Sequence, residues 1–289
     1  MPRLVGLLTA LGLIRNAERH DRIDDDAPPD WQSERDAHAW LGWILLASMA
    51  LSACALARGT VAPYGRYAAV KSFGVSWGAP IPGRLAWCVQ ELPSLLVPLL
   101  CLCRRGWRAP AAGNGWLLFF FLAHYFNRAL VYPLRIRGGK PTPLYVAAAA
   151  FGFTLVNGYL QAGGLASPWA AAVDVDAFFV AGLAAAALGA YGNAWHDDAL
   201  RKLRASSTDG SYKIPKGGLY EYVSGANFLC EILEWGGFAC AARTTASWVF
   251  AACVVLNLGP RALHHHAWYR EKFGSEYPAG RKALLPWVL

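Results

Sequence analysis

Several stretches of about 18 or more residues in this chain hold almost no charge, long enough as helix to cross a hydrocarbon core of roughly 30 Å. No other feature narrows the fold as much. Only 16% of the 289 residues are charged, against about 25% in an average soluble domain. A single soluble domain, a disordered chain and a collagen-like chain are thereby excluded. The 13 Trp and 12 Tyr suit a protein with two wet interfaces, where such rings settle.

The pattern predicts an all-α, multi-pass membrane protein with seven spans near residues 37–57, 84–103, 114–134, 143–163, 174–195, 220–242 and 247–267. The second, sixth and seventh contain ionisable residues, as expected where polar side chains face a bundle interior. Met1–Ile14 reads as a short interfacial helix, and residues 18–35, rich in both charges, read as a solvated linker. Residues 1–36 are thus set apart from a membrane domain at 37–289. Orientation follows from basic loops. Arg58, Arg66, Lys71 and Arg84 share a side with Arg135, Arg137 and Lys140. On that side too lie Arg201, Lys202, Arg204, Lys213 and Lys216, and the tail residues Arg270, Lys272, Arg281 and Lys282. The other side has Arg104, Arg105, Arg108 and Arg243. The N-terminus is predicted outside and the C-terminus in the cytoplasm. No internal repeat is found, which lowers the prior for a transporter.

The net charge of +8 points to anionic lipid or an anionic ligand rather than nucleic acid, because the basic residues sit in short loops between spans. The cysteines (Cys54, Cys88, Cys101, Cys103, Cys230, Cys240 and Cys253) include no C-x-x-C pair and read as packing residues. His264, His265 and His266 are consecutive, point about 100° apart on a helix, and so do not chelate one metal. No metal and no obligate protein partner are expected.

Charged groups inside a membrane cost roughly 2.5–3.5 kcal/mol each on insertion scales, so those sharing a helical face mark candidate sites. Tyr125, Arg128 and Tyr132 are spaced i, i+3, i+7, two phenols and a guanidinium suited to a ligand carbonyl or phosphate. Asn193 and Asp197 stand at i, i+4 where the fifth span ends. Asn227, Glu231 and Glu234 fall on one face of the sixth and require cations or ligand donors. Arg261, His265 and Tyr269 form an anion-binding face on the seventh. Gln90 and Glu91 lie within the second span, where a protonated carboxyl can donate to a ketone oxygen. The loop at 201–220 is basic and rich in Gly and Ser, suited to phosphates, yet lacks G-x-G-x-x-G and any βαβ setting. A dinucleotide bound here is bound without a Rossmann domain.

Eight blocks together resemble the steroid 5α-reductase family: YGRY from Tyr64, AWCVQELP from Ala86, HYFNR from His124, YKIPKGGL from Tyr212, YVSGANF from Tyr222, EILEW from Glu231, RALHHH from Arg261 and RKALLP from Arg281. They occur in the family's order from about residue 58 to Leu289, and Q-E-L-P with H-Y-F-x-R looks like the isozymes acting on Δ4-3-ketosteroids. The resemblance implies a seven-helix membrane reductase that uses NADPH, passing a hydride to C5 of a 3-oxo-Δ4-steroid and a proton to C4. It implies that Glu91 and Tyr125 are catalytic, with Gln90 and Arg128 beside them at the substrate. It implies cofactor positions at Asn193, Asp197, Arg204, Tyr212, Asn227, Glu231, Arg261, His265, Tyr269 and Arg281. The membrane implied is the bacterial inner membrane or, in a eukaryote, the endoplasmic reticulum. Three departures stand out: the segment from Tyr145 reads YVAAAA, where mammalian members carry an Arg; the family's H-S-D-Y block reads His196-Asp197-Asp198; residues up to Arg35 have no counterpart. The competing readings are a membrane methyltransferase of the isoprenylcysteine carboxyl type using S-adenosylmethionine, a reductase of another lipid enone or enoyl substrate, and a transporter or lipid-binding protein.

Overall fold

The computed structural model describes residues 29–61, 67, 78–109, 111–136, 140–206 and 212–289. The predicted N-terminal segment up to residue 28, most of the basic loop at 58–84 and the first three residues of the Y-G-R-Y block lie outside them.

Among the described residues seven long helices follow one another: α1 (Pro29–Ala57), α2 (Gly83–Leu102), α3 (Ala112–Arg135), α4 (Leu144–Ala166), α5 (Ala177–Ala205), α6 (Ala226–Ala242) and α7 (Thr245–Phe273). Each covers one predicted stretch. Five of them are long and apolar enough to cross a membrane by length and composition: α1, α2, α3, α5 and α7. The chain is therefore a membrane protein. α6, at 17 residues, is shorter than a full span and carries Glu231 and Glu234. The predicted boundaries are corrected at three places. α1 starts at Pro29, inside the supposed linker. α5 continues to Ala205, because Asp198 pairs with Arg201 and with Lys202 (2.8 Å), one turn on, and with Arg135 of α3 (2.9 Å). The sixth helix begins only at Ala226; before it a 3-10 turn, Gly218–Glu221, follows two glycines at φ 88° and 56° that lead the chain in.

Two ends of the bundle are recognisable from their ties. At one, Asp176 caps α5 by accepting the Phe179 N–H (2.8 Å) and pairs with Arg243 at the C-terminus of α6 (2.8 Å). There too the Arg104 guanidinium grips the Glu34 carboxylate through both oxygens, at 2.5 and 2.9 Å. At the other end, two short strands, β1 (Pro80–Ile81) and β2 (Thr142–Pro143), pair antiparallel and align the starts of α2 and α4. The tail returns to that end: Ser224 N–H donates to Lys282 (2.8 Å), Gly225 N–H to Ala283 (2.9 Å), and Lys282 N–H to Tyr222 (2.8 Å).

α5 and α6 approach more closely than ordinary side chains allow. A Cβ on Gly189 would meet the Glu234 backbone nitrogen at 2.3 Å, and one on Gly237 the Ala186 nitrogen at 2.5 Å. Small residues at such seams let backbones touch where lipid provides no hydrophobic drive for association. The main core gathers aromatic rings from α3, α6 and α7, among them Phe121, Tyr125, Trp235, Phe238 and Phe250. Outward face Leu51, Phe119, Leu134 and Leu188, exposed as a lipid-facing surface requires.

Candidate functional site

Three groups of polar side chains stand in sequence from the middle of the bundle to its basic end.

The first surrounds Tyr125, 4% exposed on α3, whose ring stacks on Trp235 (6.0 Å between centroids) and meets Phe121 (4.7 Å). Its hydroxyl receives the Asn157 Nδ2–H of α4 (3.5 Å), and Ser94 of α2 is a neighbour. Glu91, one turn before Ser94, is within electrostatic reach of the phenol and forms no hydrogen bond among the described residues. Gln90 contributes its backbone carbonyl, which accepts the Thr154 hydroxyl (2.5 Å) and clamps α2 to α4 beside Pro93. The arrangement places a carboxyl and a phenol on neighbouring helices, the phenol set among aromatic rings.

The second group joins α3, α5 and α6. A π turn at Asn127–Val131 precedes Pro133, which has no N–H to continue the α ladder. Within it Arg128 sets its guanidinium against the adjoining rings of Trp87 (4.8 Å) and Tyr132 (5.1 Å) and donates to Asp197 Oδ2 (3.0 Å). Asn227 donates to Asp197 Oδ1 (2.9 Å), and Asn193 donates to the Asn227 carbonyl (3.0 Å) and Glu231 Oε2 (3.2 Å). A cleft is lined by Arg128, Tyr132, Asn193, Asp197 and Arg201. The face predicted from Tyr125, Arg128 and Tyr132 is thus divided: Tyr125 turns to α2 and α4, while Arg128 and Tyr132 turn to α5. The face predicted from Asn227, Glu231 and Glu234 is divided as well. Glu234, wholly enclosed, turns instead to His124, whose Nδ1 lies 2.5 Å from its Oε1.

The third group lies at the basic end. Arg261 of α7 covers the Phe228 ring (5.2 Å), and His265, one turn on, packs on the same ring (5.2 Å). Tyr269 stacks on Tyr277 (5.5 Å, 8° between planes). Tyr212 meets Trp268 edge-on, with the Lys272 ammonium over its ring (5.5 Å). Arg204 is exposed in the last turn of α5. Arg281, 3% exposed, donates to the Pro215 carbonyl (3.0 Å) and so secures the loop that carries Tyr212. Tyr220 closes this region; burial pushes its phenol well above the ordinary range, so it stays a neutral donor, aimed at the His196 carbonyl (3.4 Å).

Sequence reasoning missed several members. His196 accepts the Leu219 N–H at Nε2 (3.0 Å), so its proton sits on Nδ1 and goes to the Gly192 carbonyl (2.6 Å). It thereby anchors the segment leading into α6. Ser224 Oγ stands 2.7 Å from His266 Nδ1 and 2.6 Å from the Tyr277 hydroxyl, tying α7 to the tail. Asn157 and Gln161 had one available signal, an i, i+4 pair of amides in an alanine-rich span.

The chemistry of the second and third groups fits a dinucleotide: amides and carboxylates suit ribose hydroxyls and a carboxamide, and cations beyond them suit phosphates. A family model described as 3-oxo-5-alpha-steroid 4-dehydrogenase matches residues 140–289, just over half of the chain. The chain is 46% identical to 3-oxo-5-alpha-steroid 4-dehydrogenase 1 of Bos taurus over 78% of its length and 88% of that protein's. It is 41% identical to the Homo sapiens protein of the same name, over 84% and 95%. With Steroid 5-alpha-reductase DET2 of Solanum lycopersicum it shares 37% identity over 78% and 87%. The family model spans α4 through the tail, the relatives cover more than three quarters of the chain, and the chain belongs to the 3-oxo-5-alpha-steroid 4-dehydrogenase family.

Proposed function

We propose that the chain reduces the Δ4 double bond of 3-oxo-Δ4-steroids to give 5α-3-oxosteroids, with NADPH as reductant. The reading is carried by one observation above others: a buried phenol at Tyr125 lies within electrostatic reach of the Glu91 carboxyl, on the helix whose next turns carry Arg128 into a polar junction of amides and carboxylates. The printed names of the relatives support it.

NADPH, when bound, supplies the hydride that goes to C5. Electrons of the C4=C5 bond then move toward C3, and charge builds on the ketone oxygen. Tyr125 and a protonated Glu91 donate hydrogen bonds to that oxygen, and in a dry site such donors act strongly. As the charge returns, C4 takes a proton and C3 recovers its carbonyl. Asn193, Asn227, Glu231 and His265 hold ribose and carboxamide groups, and Asp197 fixes Asn227 and Arg128 in place. Arg204 and Arg261 meet phosphates. Arg281 acts through the loop it secures, bringing Tyr212 to the cofactor, while Tyr269 braces the tail. Gln90 and Arg128 border the steroid. All seven helices cross the membrane, with the N-terminus outside and the basic end in the cytoplasm, where the soluble reductant is available.

Purified protein in detergent is to be given NADPH and progesterone or testosterone, and the C5 configuration of the product determined. Turnover to the 5α product is expected, with Glu91→Gln and Tyr125→Phe each lowering it by about 10²–10³, the usual loss for one such donor. Near-normal turnover in both variants rejects this assignment. Thermal stabilisation by S-adenosylmethionine and not by NADPH would move the chain to the methyltransferase reading.

A further inference from the structure

We infer that Asn157 and Gln161, two buried amides on α4, are positioning residues that set the direction of the Tyr125 phenolic proton. The inference rests on the reading of Tyr125 as the ligand's hydrogen-bond donor.

The argument starts at a group that cannot be turned around. The Ala246 carbonyl only accepts, so the Gln161 group 3.0 Å from it is the Nε2 amide. That nitrogen has two hydrogens. The second goes to Asn157 Oδ1 at 3.1 Å. With its oxygen committed there, Asn157 presents Nδ2 to the Tyr125 hydroxyl, at 3.5 Å. Flipping Gln161 would set its oxygen against the Ala246 carbonyl and leave Asn157 Oδ1 without this donor. The chosen orientation has its own cost, since Gln161 Oε1 is buried without a partner among the described residues, and it persists nonetheless. Asn157 is 0% exposed and Gln161 1%, so no water competes for either.

The consequence falls on the phenol. Its oxygen accepts from Asn157 and its one proton must point elsewhere. Ser94 of α2 also neighbours the phenol, and its own hydroxyl proton goes to the Thr154 carbonyl at 3.0 Å. Ser94 and Glu91 are three residues apart on one face of α2. The phenolic proton is therefore turned away from Asn157 and left for another acceptor, which on the proposed function is the ketone oxygen. A donor chain beginning at a backbone carbonyl of α7 thus ends as a donor presented to the ligand.

The test compares a ketone with an alcohol. A 3-ketone can only accept; a 3-hydroxyl can also donate. Wild type, Asn157→Asp and Gln161→Met are purified in detergent, and affinity for a Δ4-3-ketosteroid and its 3-hydroxy analogue is read from ligand-induced thermal shifts, with kcat and KM for the ketone. In Asn157→Asp the carboxylate takes the phenolic proton, and the phenol offers the ligand lone pairs. We expect kcat to fall about 10- to 100-fold, less than for loss of the donor itself, with a smaller change in KM. The preference for ketone over alcohol should fall at least about tenfold. Gln161→Met releases Asn157 and should lower both in the same direction. A folded Asn157→Asp with wild-type kcat and preference overturns the inference; if that variant does not fold, the same result in Gln161→Met does so. A wild-type protein that neither binds nor reduces the enone fails earlier, and sinks the proposed function itself.

Discussion

Glu234 shows what a single residue can demand of its surroundings. Its side chain has no solvent exposure, one oxygen meets His124 at 2.5 Å, and the other has no partner among the described residues. Removing one member of such a pair leaves a charge or a strong dipole uncompensated, at about 3–5 kcal/mol. His124→Ala is therefore expected to lower stability by that order, and Glu234→Gln, which keeps an acceptor for the ring, by less. Thermal unfolding of the two variants in detergent checks the ranking; equal losses would mean that the pair's charge is irrelevant. Neither the partner nor the split of Glu234 from Glu231 was legible in the chain. Spacing along one helix identifies residues that share a face, but Glu234 lies at one margin of its face and Glu231 at the other. Different neighbours, α3 and α5, claim them. Glu91 and Tyr125 stood out because a carboxyl in an apolar span, and a phenol one turn before an arginine, are conspicuous within their own helices. Asn157 and Gln161 did not, because an uncharged amide hardly disturbs hydropathy and its meaning comes from the groups it touches.

Among the elements, the α5–α6 pair tolerates least change. The Gly189 and Gly237 positions put backbone against backbone, and the seam carries Asn193, Asn227 and Glu231 at its basic end. Gly189→Ala forces a methyl group to 2.3 Å from the Glu234 nitrogen, where nothing flexible can yield. A loss of about 1–3 kcal/mol is expected, the usual range for overpacking, together with weaker NADPH affinity. Gly236→Ala, on the facing helix α6, is the control. A methyl group there meets nothing within 4 Å, and helix propensity alone predicts a gain of up to about 1 kcal/mol. Melting temperatures that fall alike would show that glycine matters in α6 for some reason other than the seam. The existence of the seven helices was legible from hydropathy, because a long uncharged run has few other structures open to it. Their ends were harder to read. α5 outlasts its apolar stretch through charge pairs on its own surface, and the π turn in α3 is betrayed only by Pro133.

At the scale of the whole molecule the polar groups are asymmetric. Asp197, Arg204, Arg261, His265, Tyr269 and Arg281 all lie toward the end where α5 and α7 finish, and so does most of the excess positive charge. The opposite end is closed by compact ties, Glu34 with Arg104 and Asp176 with Arg243, and by Trp107 and Trp169 packed edge to face at 5.6 Å. On the proposed function, a bundle built this way takes its anionic reductant at the basic end. The expected orientation, with lysine and arginine retained in the cytoplasm, would present that end to it. Two native cysteines make this testable. Cys103 is exposed just past the end of α2, at the closed end, while Cys54 lies in the last turns of α1, near the other. A membrane-impermeant maleimide applied to intact cells, or to spheroplasts of a bacterial host, is expected to label Cys103, with labelling lost in Cys103→Ser. Cys54, on a lipid-facing helix, is expected to need a permeant reagent. Labelling of Cys103 that appears only after the membrane is opened would put the closed end in the cytoplasm and the basic face outside, where it would have no NADPH to bind.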